Sequence, residues 1–99
     1  MANLEIVPVD RIAMSNGMSV QAMLTAGAPM QEILATAHAT AALAAEANPA
    51  LGPVPSTQAL AEDGLEGKSA ALHLMSLTEI PERRSAAIAA YYQAQEIGF

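Results

Sequence analysis

Apolar residues recur along much of the chain at steps of three and four positions, which is typical of helices rather than strands. The longest such run covers residues 30–47, and its repeating positions change from methionine and isoleucine to alanine. Pro29 is placed at the first helical position, just before this run, and Asn48 and Pro49 follow it, so both ends carry helix-boundary residues. The pattern predicts one helix to about residue 47, with a face that is bulky at its start and nearly flat at its end.

Shorter helices are predicted on both sides of this run. Ser19 is a suitable N-cap for a helix over VQAMLTA, which Gly27 closes. Ser56 or Thr57 is a suitable N-cap for QALAED, and KSAALHLMSL continues as another helix. Because this last segment is apolar on several sides, we expect it to be covered on two faces.

The last predicted helix covers PERRSAAIAAYYQAQEI and ends near Gly98. Thr78 is placed as its N-cap, which puts Pro81 at the third position, where a missing N–H is tolerated. One broad face of this helix is expected to be apolar, with the stem of an arginine lying along it. The residues of that face are Ile80, Arg84, Ala87, Ile88, Tyr91 and Ala94.

Two segments interrupt the helical pattern. Residues 1–18 predict an extended N-terminal arm, in which Pro8 limits strand pairing to an edge. Residues 48–57 carry three prolines and predict an extended, polyproline-like connector. We expect this connector to hold the alanine-rich half, 19–47, apart from the C-terminal helices, 58–99, so that another chain completes each half. The predicted fold is a single all-α domain of short and medium helices with an arm and a Pro-rich connector.

The composition favours association over a large internal core. The chain has 99 residues, of which 53% are hydrophobic but only 3% are aromatic. Much apolar character therefore comes with little side-chain volume, and a domain of this size buries a limited fraction of its surface. Such a chain gains stability most easily by burying flat surface against copies of itself or against another subunit. Replacing Ala41 or Ala44 by leucine is accordingly expected to disturb association more than helix formation.

The charge of the chain excludes several classes of partner. With 4 basic and 10 acidic residues the formal net charge is -6, so nucleic acid is not expected as a partner. An anionic membrane surface is disfavoured for the same reason. Polar residues interrupt the run at 30–47 too often for a membrane span. The first residues lack the pattern of a signal peptide, so we expect a location in the cytoplasm or in an assembled particle such as a virion.

No residue pattern predicts catalysis, a cofactor or a metal site. His38 and His73 lack partners at ligand spacing and are expected to be packed or interface residues. Glu62, Asp63 and Glu66 form an acidic turn without the ligand order of a calcium loop. The serines lack a nucleophile elbow, and the glycines lack a phosphate-binding loop. We therefore expect a protein that is not an enzyme.

The candidate functional residues are interface residues. Methionines are concentrated in the first thirty residues, where either an adaptable partner-facing patch or core filling explains them. The alanines of the flat helix face permit close approach of a second helix. The two adjacent tyrosines point about 100° apart on a helix, so at least one should contact a neighbour. The full set is Met14, Met18, Met23, Met30, Ala37, Ala41, Ala44, Tyr91 and Tyr92.

Residues 27–48, GAPMQEILATAHATAALAAEAN, resemble the alanine-rich central part of R-body proteins, the Reb or killing-trait family. The resemblance lies in the Ala-Pro start, the ATAHA stretch and the closing alanine and asparagine, and it covers about a fifth of the chain. It does not extend to the N-terminal arm, the Pro-rich connector or the Arg-Arg helix. R-body proteins polymerise into coiled ribbons, so the resemblance implies self-assembly. It implies no catalytic residues.

Two hypotheses for the function follow from these patterns. The first is a non-enzymatic structural subunit that self-associates or packs into a larger assembly, such as a virion component, a filament or a ribbon. The second is a small acidic adaptor or inhibitor that binds one larger protein through its Met-rich N-terminal region. The mass of the protein in solution separates them, because a multimer supports the first and a folded monomer supports the second.

Overall fold

The described part of the chain, residues 6–97 in the computed structural model, consists of helices joined by turns, and side chains are described for residues 6–95. One 3₁₀ turn, Val9–Arg11, comes first, and another, Pro49–Leu51, lies in the connector. The α-helices are α1, Val20–Thr25; α2, Met30–Ala47; α3, Thr57–Glu62; α4, Lys68–Ser76; and α5, Pro81–Ile97. No strand occurs between residues 6 and 97, which confirms the all-α prediction.

The ends of the short helices follow the predicted boundary residues. The Ser19 hydroxyl accepts a hydrogen bond from the amide of Ala22 at 3.1 Å, and the Ser56 hydroxyl accepts one from the amide of Ala59 at 3.1 Å. Each bond satisfies an N–H that has no partner within its own helix. Gly27, after α1, has a φ of 80°, the left-handed conformation that ends many helices. These contacts confirm the predicted caps of α1 and α3.

α2 confirms the longest predicted helix. It covers 18 residues and ends at Ala47. Pro29 is its N-cap rather than its first helical residue. Glu32 lies in the first turn, where a negative charge faces the positive end of the helix dipole. Asn48 then takes an extended conformation and ends the helix.

α5 begins later than predicted. Pro81 is its first helical residue, a position where the missing N–H leaves no helical hydrogen bond unmade. The hydroxyl of Thr78 donates to the carbonyl oxygen of Met75 at 2.7 Å, so this side chain closes the end of α4. The predicted N-cap at Thr78 is therefore wrong.

α4 is the central helix and contacts α1, α2, α3, α5 and the first 3₁₀ turn, most extensively α2. Both helices have buried alanines, since Ala37 of α2 and Ala70 and Ala71 of α4 belong to one core. Side chains this small let two helix backbones approach closely. The expectation that α4 is covered on two faces is confirmed, and the helix that covers the alanine face of α2 belongs to the same chain.

The connector does not hold the two halves of the chain apart, so this prediction is wrong. After the turn at Pro49–Leu51, Gly52 has a φ of 85°, and the chain continues without helix to the start of α3. Ser56 and Thr57 then lie beside Ala39, near the middle of α2. An extended segment advances about 3.1 Å per residue, which is enough to run back along half of a helix that rises about 1.5 Å per residue. The prolines favour an extended path, but they do not set its direction.

The described part of the N-terminal segment packs onto the helices. Val9 and Met14 are buried in the core, and the first 3₁₀ turn contacts α1, α4 and α5. The amide of Ser15 donates to the hydroxyl of Thr40 at 2.9 Å, which ties this segment to α2. Residues 1–5 of the predicted arm lie outside the described residues. The rest of the arm is part of the fold.

Candidate functional site

Four of the predicted interface residues lie inside the protein. Met14, Met23, Ala37 and Ala41 are all buried within the single chain. A side chain covered in this way cannot contact another chain while the fold is kept. The prediction that these four residues form an intermolecular surface is therefore wrong, and core filling explains both methionines.

The other predicted interface residues are at least partly accessible. Met30 and Ala44 are half-buried on α2, and Met18 is exposed before α1. Tyr91 is half-buried, whereas Tyr92 is 64% exposed. Adjacent helix residues point in different directions, so one tyrosine contacts the core and its neighbour projects outwards. Among the described residues, α5 is therefore the helix that carries an exposed aromatic side chain, Tyr92.

The outer face of α5 is defined by five exposed, uncharged side chains, and the exposed Glu82 lies one turn before the first of them. Ile88 is 36% exposed, and Tyr92 lies one turn further along the same side of the helix. The sequence from residue 85 to residue 95 contains no acidic or basic residue, although the whole chain has a net charge of -6. The five residues of this face are Ser85, Ile88, Ala89, Tyr92 and Gln95.

The outer face of α2 is also defined by five exposed residues, but two of them are charged. Its exposed residues are Glu32, Ala35, Ala39, Leu43 and Glu46. Leu43 is 56% exposed, so this face also has an apolar centre. A glutamate bounds that centre at each end. When two copies of this face meet, glutamates lie opposite glutamates in either helix direction, and like charges oppose the contact.

α5 is fastened to α4 at its first turn. The Nε of Arg84 donates to the carbonyl oxygen of Ser76 at 3.0 Å, and its Nη2 donates to that of Glu79 at 3.1 Å. Carbonyl groups at a helix C-terminus lack helical partners, so the guanidinium satisfies them and places a positive charge at the negative end of α4. Ala87, one turn later, is buried. Sequence reasoning placed Arg84 on the inner face but missed its role as a clamp on α4.

A groove of about 430 Å³ lies between α4 and α5. The α4 wall contributes residues spaced by three and four positions, and these form one side of that helix. Most of the polar side chains come from α4, and both aromatic rings come from α5. The lining residues are Val9, Leu65, Ser69, Leu72, His73, Ser76, Ile88, Tyr91 and Tyr92.

The aromatic wall of the groove is organised by three contacts. The rings of Tyr91 and Tyr92 lie edge to face, with centroids 5.3 Å apart and an interplanar angle of 68°. The Nζ of Lys68 lies 5.4 Å from the centroid of the Tyr91 ring, within the range of a cation–π contact. Lys68 is the first residue of α4, so the N-terminus of α4 lies beside the second half of α5. The two helices are therefore antiparallel neighbours.

Charge in and near the groove is unevenly distributed. Among the described residues, no acidic side chain lines it. Asp10 follows the lining residue Val9 in sequence and is buried, and its Oδ1 has no hydrogen-bond partner within the described part of the chain. An unpaired buried carboxylate oxygen lowers stability. One basic group, Lys68, lies beside the aromatic wall.

Helical spacing alone identifies the α4 wall, because Ser69, Leu72, His73 and Ser76 share one side of a helix. What the sequence does not reveal is that α5 lies opposite this side. His73 is half-buried in the groove, and its carbonyl oxygen accepts a hydrogen bond from the Ser76 hydroxyl at 2.6 Å. The other histidine, His38, lies apart from this groove, in a shallow depression beside the start of α3.

The described residues offer no metal-binding cluster, since no group of three or more His, Asp or Glu side chains within this part of the chain is placed to hold a metal ion. Between residues 6 and 97, no helix combines the length and the apolar character needed to cross a membrane.

Comparisons with known proteins give no match to a family model, a curated protein or a solved structure. The resemblance to R-body proteins therefore stays a prediction.

Proposed function

We propose that the protein is a non-enzymatic subunit that self-associates, and that the outer face of α5 is the contact surface. The observation that carries this proposal is the exposure of Ile88 and Tyr92 on a helix whose own chain fully buries only Ala87 among the side chains described. Tyrosine is enriched at the centres of interfaces, and the core of an interface patch is more apolar than the rest of the surface. A partner that covers this face buries them.

Charge supports a second copy as the partner. Each copy carries a net charge of -6, so two copies meet favourably only through a surface that is itself neutral or complementary. The five residues of the outer face of α5 are uncharged, and the exposed Glu82 lies at the edge of this face, one turn before Ser85, where salt weakens the repulsion between two copies. The outer face of α2 is less suited, because among the described side chains it has a glutamate at each end, Glu32 and Glu46.

The size of the face limits the strength of the contact. A helix of 17 residues is about 25 Å long. One exposed side of such a helix offers less area than the roughly 800 Å² that each partner buries in a stable complex. We therefore expect reversible association. Because both copies use the same face, the contact closes at a dimer, and a filament, a ribbon or a particle requires a second contact in addition.

The decisive experiment measures molecular mass by sedimentation equilibrium over a range of concentrations for the wild type and two matched variants. Ala89→Glu places a charge at the centre of the outer face of α5, and Ala39→Glu makes the same change at the centre of the outer face of α2. Both alanines are exposed, so neither substitution disturbs the core.

The proposal predicts that the wild type and Ala39→Glu form dimers with increasing concentration, whereas Ala89→Glu stays monomeric. A wild type that is monomeric at every concentration contradicts self-association. Dimerisation that is lost in Ala39→Glu and kept in Ala89→Glu contradicts the choice of α5.

The alternative function, an acidic adaptor or inhibitor with a Met-rich docking region, has less support. Met14 and Met23 are buried, so two of the five methionines in the first thirty residues belong to the core and cannot form the docking region. The expected location, in the cytoplasm or in an assembled particle such as a virion, is part of the same proposal and is tested by fractionating cells that express the protein.

A further inference from the structure

We infer that the groove between α4 and α5 is a binding site for a small aromatic carboxylate. The inference does not rest on self-association, because the groove and the outer face of α5 are different surfaces that share only Ile88 and Tyr92. It rests on the size of the groove, its aromatic wall, its free polar groups and the local charge.

The size and lining of the groove suit a small molecule. A volume of about 430 Å³ lies within the range of roughly 300–1,000 Å³ that is typical of ligand sites. Val9, Leu72 and Ile88 supply an apolar surface. A ligand with a flat ring system covers this surface and removes it from water, which is the main source of affinity in such sites.

The two tyrosine rings of the aromatic wall favour a ligand that contains an aromatic ring. Tyr92 lines the groove and is 64% exposed, so part of its ring surface has no neighbour within the described part of the chain. The edge-to-face contact with Tyr91 holds the two rings at a fixed angle. A ligand ring can stack on Tyr92 or meet it edge to face while the two tyrosine rings keep their positions.

Polar groups on the α4 wall are available to orient the ligand. The hydroxyl of Ser69 and the ring of His73 lie one helical turn apart and both line the groove. Within the described residues, neither takes part in a side-chain hydrogen bond, whereas the Ser76 hydroxyl is already bonded to the backbone. Ser69 can donate a hydrogen bond, and a ring N–H of His73 can donate another. Both donors suit a carboxylate.

Local charge favours an anion over a cation. Lys68 lies 5.4 Å from the Tyr91 ring at the edge of the groove, and no acidic side chain among the described residues lines it. The net charge of -6 opposes an anion at long range, where salt reduces its effect beyond about 8–10 Å, whereas the Lys68 ammonium, although outside the groove lining, lies beside the aromatic wall and well inside that distance. The positive charge of Lys68 beside the groove therefore outweighs the distant negative charges and favours a carboxylate.

Nuclear magnetic resonance tests the inference directly. Tyr91 and Tyr92 are the only tyrosines of the chain, and both line the groove, so their ring signals report on it without interference. The full chain is titrated with 2-naphthoate and, in parallel, with 2-naphthylmethylammonium, which has the same ring system and the opposite charge. We expect 2-naphthoate to shift the signals of both tyrosines and of His73, with an affinity at least ten times that of the cation.

Two variants assign the charge effect to Lys68. Lys68→Gln removes the positive charge at the groove and is expected to weaken 2-naphthoate binding several-fold while leaving the binding of the cation unchanged or stronger. Neither residue is part of the groove lining, but Lys68 lies over the Tyr91 ring, whereas Arg83 pairs with Glu79 at 3.5 Å, so Arg83→Gln is the matched control. We expect it to bind 2-naphthoate like the wild type.

The outcomes separate this inference from the proposed function. Because Ile88 and Tyr92 belong to both surfaces, 2-naphthoate is expected to compete with dimerisation, so the titrations are made at protein concentrations at which sedimentation finds only monomer and report on the groove alone. Absence of tyrosine shifts with both probes overturns the site. Equal affinity for the two probes, or equal loss in the Lys68 and Arg83 variants, overturns the assignment to a carboxylate.

Discussion

The two long helices, α2 and α5, have 18 and 17 residues, are both rich in alanine and each have a proline at the N-terminal boundary, yet they are packed differently. α2 buries Ile33, Ala37 and Ala41 along one side, whereas α5 fully buries only Ala87 among its described side chains. Alanine content therefore does not identify an intermolecular surface. The placement of the few bulky residues does so better, because α2 turns its isoleucine inwards and α5 leaves Ile88 partly exposed.

The reason lies in what faces each helix. The small side chains of α2 meet the small side chains of α4, so the two backbones pack closely. The alanine face of α2 is therefore buried within its own chain. α5 is fastened at one end by Arg84 and lies over a groove along the rest of α4. Its outer residues have no neighbour within the described chain that covers them completely.

The largest expected difference between the two helices concerns their isoleucines. Ile33→Ala removes a fully buried side chain and is expected to lower the free energy of unfolding by about 2–5 kcal/mol, because a cavity remains. Ile88→Ala, in which the side chain is 36% exposed, is expected to cost less than about 1 kcal/mol in the monomer. Urea denaturation at low protein concentration measures both. Equal losses would show that α5 is packed as tightly as α2.

A leucine on each side of α2 tests which side faces the core. Ala41→Leu is expected to destabilise the folded chain by about 1–3 kcal/mol, since Ala41 is buried and a larger side chain overpacks the core. Ala39→Leu, two residues away on the exposed side, is expected to change stability by less than about 0.5 kcal/mol. Thermal unfolding of the two variants at one concentration is sufficient. If Ala41→Leu is as stable as the wild type, the alanine face is not part of the core.

The neighbouring arginines of α5 provide the next comparison. Arg84→Lys is expected to cost about 1 kcal/mol, because an ammonium group cannot reproduce the forked contact with the carbonyl oxygens of Ser76 and Glu79. Arg83→Lys affects only a surface pair with Glu79 at 3.5 Å, worth about 0.3–0.5 kcal/mol or less. The same denaturation experiment ranks them, and a larger loss at Arg83 would contradict the clamp on α4.

Local signals in the sequence predicted most of the helices but not how they meet. Proline, asparagine and serine at the boundaries located α1, α2 and α3, since caps and proline act within a few residues. The start of α5 was missed because Thr78 has an alternative local acceptor, the carbonyl of Met75. An extended connector has a predictable length but no predictable direction, so the packing of α2 on α4 was not foreseen.

The candidate site was predicted in part. Tyr91 and Tyr92 were identified because adjacent helix residues cannot both face the core. Met14 and Met23 were misplaced, because the same flexible side chain suits a surface patch and an irregular core, and only tertiary packing decides between them. The groove depends on α4 and α5 lying side by side, which no local pattern encodes.

Paramagnetic relaxation between two copies tests the central claim most directly. The chain has no cysteine, so Ser85→Cys and Ala39→Cys each give a single site for a spin label, one on the outer face of α5 and one on that of α2. Each labelled variant is mixed with ¹⁵N wild-type protein, whose amide signals broaden where the label of the other copy approaches. The account predicts that the label at residue 85 broadens amides of α5, chiefly residues 85–95, and that the label at residue 39 broadens none. Broadening of α2 amides by the label at residue 39, or no broadening from either label at the highest soluble concentration, would contradict it.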